Sequence, residues 1–148
     1  MTYVMNMSTD NDITNTQLNG AWNPINARYN WTQVRGGNNN IPNGATIVVI
    51  AHGNDREIGN ARAGGDVDIN ATTFLACIQS NMAHHAVPAA IYLSTCGSGI
   101  AGFTADVRIA AEQNAIWRNV HLYGHSDPQG GAVQPPNSIV WTQIFPRR

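Results

Sequence analysis

Two runs of largely apolar residues, the first of them mostly β-branched, constrain the fold of this chain more than any other feature. Residues 46–51 read TIVVIA and residues 89–94 read AAIYLS, and neither run alternates between apolar and polar residues. Continuous apolar strands of this length are typical of a parallel sheet that is covered on both faces. The two runs therefore predict buried parallel strands of an α/β fold.

A helix is predicted between the two runs. Apolar residues recur there at helical spacing, at Phe74, Leu75, Ile78 and Met82. Asn70 or Thr72 is available as the N-cap of this helix. Strand, helix and strand together form a βαβ unit. A second helix over residues 103–111 and further strands over residues 119–123 and 138–145 complete a three-layer α/β domain with a mostly parallel sheet.

The polar N-terminal part of the chain predicts little regular structure. Residues 8–26 are rich in Asn and Thr, a composition that favours irregular segments over core. We expect a loose arm within residues 1–26, then an edge strand over residues 28–34 and a turn at Pro42-Asn43-Gly44. The whole chain, residues 1–148, has the length of one domain.

The charge of the chain excludes the partners that basic proteins bind. The formal net charge is −1, the isoelectric point is near 6.5 and 11% of the residues are charged. This balance lacks the basic field that attracts phosphate groups, so we expect neither nucleic acid nor a membrane as the partner.

The composition also bears on localisation. The first residues lack the basic start and apolar run of a signal peptide, and no stretch approaches the roughly 18 apolar residues of a membrane span. We therefore expect a cytoplasmic protein, or one that is secreted without a signal peptide. All eight cationic side chains are arginine. A chain without lysine suits an effector that avoids ubiquitin attachment.

His52 and Cys96 stand where the two buried runs end. The carboxyl ends of parallel strands lie at the same edge of a sheet, and neighbouring strands are about 4.8 Å apart. A cysteine thiol is only a few per cent thiolate at neutral pH, so a nucleophilic cysteine needs a nearby base. The pattern predicts that His52 activates Cys96.

Glycine follows both residues, and a helix is predicted to begin just beyond the thiol. Gly53 has no side chain to block a substrate, so the backbone N–H groups of Gly53 and Cys96 are candidates to stabilise an oxyanion. The positive end of the following helix points back toward Cys96. These parts together favour acyl transfer.

The spacing of the two motifs resembles a known family. The strand IVVIAHG and, 44 residues after its His, the Cys of IYLSTCGSG are similar to the cysteine peptidases of clan CD, which include caspases, legumains, clostripain, gingipains and the self-processing protease domains of bacterial toxins. The resemblance implies a caspase-like fold and a cysteine endopeptidase with His52 and Cys96 as its dyad and Gly53 as an oxyanion donor.

The resemblance also implies where specificity lies and what the enzyme acts on. Ser94-Thr95-Cys96 replaces the Gln-Ala-Cys of caspases, and Cys-Gly-Ser-Gly is closer to the bacterial and toxin-associated members, so a secreted effector or toxin component is expected. The substrate is then a protein or peptide, no cofactor is needed, and the oligomeric state stays open. The family's first specificity pocket corresponds to the loop with His125, Ser126 and Asp127, where Asp127 would select a basic side chain.

Three alternatives stay open. An inactive relative would use the same fold as an interaction module. Gly97, Gly99 and Gly102 match the dinucleotide pattern G-x-G-x-x-G between a strand and a helix, although no acidic residue follows at the tip of the next strand. His52, Cys96, His125 and Asp127 have the types of zinc ligands but not the paired spacing, so no metal is assigned.

Overall fold

The computed structural model describes residues 1–53, 56–60, 68–96, 100–124 and 132–146, and at residues 96, 100 and 101 it describes the backbone alone. The strands are β1 (Thr2–Asn6), β2 (Ile25–Tyr29), β3 (Thr46–Gly53), β4 (Ile58–Gly59), β5 (Ala90–Cys96), β6 (His121–Gly124) and β7 (Thr142–Phe145). The helices are α1 (Asn11–Thr14), α2 (Trp31–Gly36), α3 (Ala71–Ser80) and α4 (Ile100–Glu112), with short 3-10 turns at Gly20–Trp22 and Ala115–Trp117.

The seven strands form one mixed sheet that is mostly parallel. Its order is β2-β1-β3-β5-β6-β7, with β4 beside the end of β3. The strands β1, β2, β3, β5 and β6 run parallel to one another, whereas β4 and β7 are antiparallel to their neighbours. The predicted α/β class and mostly parallel sheet are confirmed.

Both faces of the sheet are covered, which gives the fold three layers. Ile47 and Val49 of β3 join a core with the buried sides of α2, α3 and α4, where the rings of Phe74 and Phe103 meet edge to face. Val48 and Ile50 belong to a second cluster. That cluster also holds Ile13, Trp22 and Val133 from α1, the first 3-10 turn and the residues before β7. Because successive side chains alternate between two covered faces, β3 needs an unbroken apolar run.

The N-terminal segment is part of the core, so the prediction of a loose arm is wrong. Strand β1 pairs with β2 on one side and with β3 on the other. Met5 and Met7 are fully buried, and Ile13 and Trp22 of the polar stretch that follows are buried too. The inner strand β1 holds the segment in place, and the few buried apolar side chains within residues 8–26 are hidden in the sequence by the average polarity of that stretch.

The edge-strand prediction for residues 28–34 is also wrong in its second half. Strand β2 does lie at the edge of the sheet, but it ends at Tyr29. Asn30 then caps α2 in a reciprocal capping box with Gln33. Trp31 and Val34 share the buried side of this helix. The capping box and the i, i+3 spacing override the alternation of aromatic and polar residues.

Most other predicted elements are confirmed. Strands β3, β5 and β6 and helices α3 and α4 lie where the sequence places them, to within a few residues at their ends. The last strand, predicted over residues 138–145, begins only at Thr142, because turns with backbone bonds from Ser138 N to Pro135 O and from Trp141 N to Ser138 O precede it. Gly44 ends the predicted turn with φ 82°, a left-handed conformation that favours glycine. Among the residues that the structure describes, no helix is long and apolar enough to cross a membrane.

Candidate functional site

His52 and Cys96 lie side by side at the carboxyl edge of the sheet. Strands β3 and β5 are parallel neighbours, and in their register the Cα of His52 is paired with the Cα of Cys96. In-register residues of adjacent strands are about 4.8 Å apart. The structure therefore brings the two predicted dyad positions to adjacent places on one rim.

The ring of His52 contacts two carboxylates that the sequence analysis did not select. Its Nε2 lies 3.0 Å from Oδ2 and 3.1 Å from Oδ1 of Asp12, and 3.4 Å from Oδ2 of Asp10. The His52 side chain is 16% exposed, that of Asp10 17% and that of Asp12 64%. This is a partly buried cluster that opens to solvent on the Asp12 side.

The contacts fix the tautomer of His52. An ionised carboxylate only accepts hydrogen bonds, so the Nε2 that faces Asp10 and Asp12 must carry a proton and donate it. In the neutral imidazole the lone pair is then on Nδ1.

Asp10 and Asp12 reach His52 because β1 runs parallel to β3 beside it. Register pairs Asn6 of β1 with Ile50 of β3, so the residues after β1 emerge at the same rim as His52. The signal in the sequence was the apolar stretch at residues 3–7 followed closely by Asp-Asn-Asp. A strand prediction there would have placed both carboxylates at the carboxyl edge.

This part of the rim is also the topological switch point of the sheet. From β1 the chain passes to β2 on one side, and from β3 it passes to β5 on the other. Loops that diverge in this way leave a crevice outside the carboxyl ends of the two strands, where open α/β sheets bind ligands. The cluster of Asp10, Asp12 and His52 lies at this switch point of the sheet.

Gly53 continues β3 beyond His52. It is paired with Ile58 of β4, but Ile58 exchanges both of its backbone hydrogen bonds with Ile69, at 3.0 and 2.9 Å. The pair of Gly53 and Ile58 is therefore the non-hydrogen-bonded kind, in which the Gly53 N–H turns away from β4 and toward the β5 side. On this side the parallel ladder that pairs His52 with Cys96 forms its hydrogen bonds, so the role of the Gly53 N–H as an oxyanion donor stays a prediction.

Other predicted positions lie outside the described residues. His125, Ser126 and Asp127 of the expected specificity pocket belong to this group, and so do Gly97 and Gly99 of the dinucleotide pattern. Gly102 lies within the first two turns of α4. The pocket and the dinucleotide site stay predictions.

The cluster of Asp10, Asp12 and His52 has the donor atoms that a metal ion could bind. One donor atom each from Asp10, Asp12 and His52 lies within 4.8 Å of the others, and oxygen and imidazole donors suit zinc and similar ions. Only His52 is shared with the set that the sequence analysis considered. Asp10 is the N-cap of α1 and Asp12 lies in its first turn, where carboxylates stabilise a helix without any ion. We assign no metal here.

Comparison with known proteins identifies no relative: no family model, no curated protein and no solved structure matches this chain. The resemblance to clan CD rests on the motifs around His52 and Cys96 and stays a prediction.

Proposed function

We propose that this protein is a cysteine peptidase in which Cys96 is the nucleophile and His52 the proton carrier. The observation that supports it most is the in-register pairing of His52 with Cys96 at the carboxyl ends of adjacent parallel strands. The resemblance of the two motifs to clan CD peptidases points the same way. The proposed substrate is a protein or peptide.

The proposed reaction begins with proton transfer. The Cys96 thiol gives its proton to Nδ1 of His52, and the thiolate sulfur forms a bond to the carbonyl carbon of the peptide. The backbone N–H groups of Gly53 and Cys96 stabilise the oxyanion. The C–N bond then breaks as His52 returns the proton to the leaving amine. Water, deprotonated by His52, hydrolyses the thioester and releases the acid and the thiol.

Asp10 and Asp12 support this reaction by holding the ring of His52. Their contacts keep the proton on Nε2 and stabilise the imidazolium that forms when Nδ1 accepts the thiol proton. The pair thus takes the place of the orienting acid in a catalytic triad. Because Asp12 is closer to Nε2 than Asp10 is, we propose that Asp12 contributes more than Asp10 to orienting the ring of His52.

The setting of the proposed peptidase is an inference from composition. A chain that has only arginine as its cationic residue suits an effector or toxin component that acts in a eukaryotic cell. We propose that it is cytoplasmic or is secreted without a signal peptide.

A peptide-library digest tests the proposal. We expect the wild type to cleave peptides, Cys96→Ala to be inactive, and His52→Ala to be slower by roughly 100-fold or more. Cys77→Ala, at the other cysteine, is the matched control and should keep full activity.

The same digest after dialysis against a chelator separates the proposed thiol chemistry from metal-dependent hydrolysis. Activity that survives EDTA and disappears in Cys96→Ala supports the peptidase. Activity that survives in Cys96→Ala and disappears with EDTA would contradict it and would favour a hydrolase built on Asp10, Asp12 and His52. Absence of cleavage, with equal alkylation rates of both thiols, would favour the interaction module.

A further inference from the structure

The segment that carries Asp10 and Asp12 does not hold its shape by itself. Helix α1 has four residues, and of these only Ile13 is buried. Isolated helices shorter than roughly 12 residues are marginal in water. Asp10 is the N-cap, yet its side chain makes no capping hydrogen bond, and its Oδ2 lies 3.4 Å from His52 Nε2. Other residues must therefore fix this segment against the sheet.

Asn60 anchors the beginning of the segment. Its Oδ1 accepts hydrogen bonds from Ser8 Oγ at 2.6 Å and from the Thr9 backbone N at 2.9 Å, and its Nδ2 donates to Thr9 Oγ1 at 2.8 Å. Asn60 directly follows β4, whose Gly59 is paired with His52. Strand β4 is thus paired with His52, and the residue directly after it is hydrogen-bonded to the segment that leads to Asp10.

Arg28 anchors the end of the segment. Its guanidinium donates to the backbone oxygens of Thr16 at 2.8 Å, Thr14 at 3.3 Å and Ile13 at 3.4 Å, and its Nε donates to Asn6 Oδ1 at 3.2 Å. All four acceptors are neutral oxygens. Burial lowers the pKa of Arg28. Two of the three carbonyls, those of Ile13 and Thr14, are the last of α1, and the third belongs to Thr16 just beyond the helix. The Ile13 oxygen also accepts from the Thr16 backbone N at 3.1 Å.

We infer that Asn60 and Arg28 are positioning residues that hold Asp10 and Asp12 on Nε2 of His52. The carboxyl groups face His52 from the α1 segment, Cys96 is its register neighbour on β5, and β4 brings Ile58 and Gly59, which carry no charge. Without the two anchors the segment moves and the proton of the neutral ring is shared between Nδ1 and Nε2. The catalytic consequence rests on the proposed function, whereas the positioning itself does not.

The tautomer of His52 in solution tests the inference without any substrate. Long-range ¹H–¹⁵N spectra in alkaline buffer, where imidazoles are neutral, distinguish a protonated from a bare ring nitrogen. We expect the Nε2–H form in the wild type and a mixture of both forms in Asn60→Ala. Asn43→Ala is the matched control, because its Oδ1 accepts one bond from the Val87 backbone N in the turn before β3. The Asn43→Ala variant should leave the tautomer of His52 unchanged.

A double-mutant comparison separates positioning from a general loss of structure. In the background Asp10→Asn/Asp12→Asn, adding Asn60→Ala should change the His52 spectrum no further, because the groups through which Asn60 acts are gone. Arg28→Lys keeps the positive charge but loses the several N–H donors of the guanidinium. It should therefore shift the His52 tautomer in the same direction as Asn60→Ala. An unchanged tautomer in Asn60→Ala, or an equal change in both backgrounds, would overturn the inference.

Peptide cleavage supplies the second readout. If the proposed peptidase activity is found, Asn60→Ala should lower kcat by about tenfold and leave KM unchanged, the size of effect that supporting residues around a site have. If no cleavage is found but the tautomer shifts as expected, the proposed function fails and the positioning role stands.

Discussion

At the scale of single residues, the surroundings of Cys77 decide how reactive its thiol is. Cys77 on α3 is half-buried against the core, and its thiol donates to the Val34 backbone oxygen at 3.7 Å. Burial raises the pKa of this thiol. Because the thiolate is the reactive form, a raised pKa leaves less of it at neutral pH.

Alkylation with iodoacetamide therefore should distinguish Cys77 from an exposed thiol. In the folded variant Cys96→Ala, we expect Cys77 to react slowly at neutral pH and to gain reactivity only above the pH range of an ordinary cysteine. Mass spectrometry over time measures the rate, with the urea-unfolded protein as the control. Equal rates in the folded and unfolded protein at neutral pH would show that burial does not protect Cys77.

At the scale of elements, α3 shows which of two candidate residues begins a helix. The sequence leaves Asn70 and Thr72 as alternatives, and in the structure the Asn70 side chain accepts a hydrogen bond from the Thr73 backbone N at 2.9 Å. Thr72 is the second residue of the helix and is exposed. Its side chain is not the cap.

Asn70→Ala should therefore lower the free energy of unfolding by about 1 kcal/mol, the usual effect of losing an N-cap. Thr72→Ala should stay within about ±0.5 kcal/mol, as surface substitutions do. Urea denaturation followed by circular dichroism measures both. A larger loss in Thr72→Ala than in Asn70→Ala would contradict the assignment of the cap.

At the scale of the whole molecule, the position of β1 decides what the N-terminal segment contributes. Met5 lies on an inner strand and is 0% exposed, whereas Met1 just before that strand is 62% exposed. We expect Met5→Ala to lower the free energy of unfolding by about 2–5 kcal/mol through the cavity it leaves. Met1→Ala should change it by less than about 0.5 kcal/mol.

Chemical denaturation of the two variants side by side checks this, since the same residue type is truncated in the same way at both places. Equal, small effects would mean that β1 packs loosely and that a loose N-terminal arm describes the protein in solution after all.

The sequence by itself determined the buried strands β3 and β5, the helix between them and the edge at which His52 and Cys96 meet. These follow from local apolar patterns and from the rule that parallel strands share their carboxyl edge. A single βαβ unit contains all of this information, so no distant contact had to be known.

Only the tertiary structure decided that Asp10 and Asp12 contact His52, from which they are 42 and 40 residues apart in the chain. That contact depends on β1 lying next to β3, and on the anchors that Asn60 and Arg28 provide. Strand order is set by how the covered faces of the whole sheet pack together, and such packing leaves no periodic signal in a short polar segment such as residues 8–16.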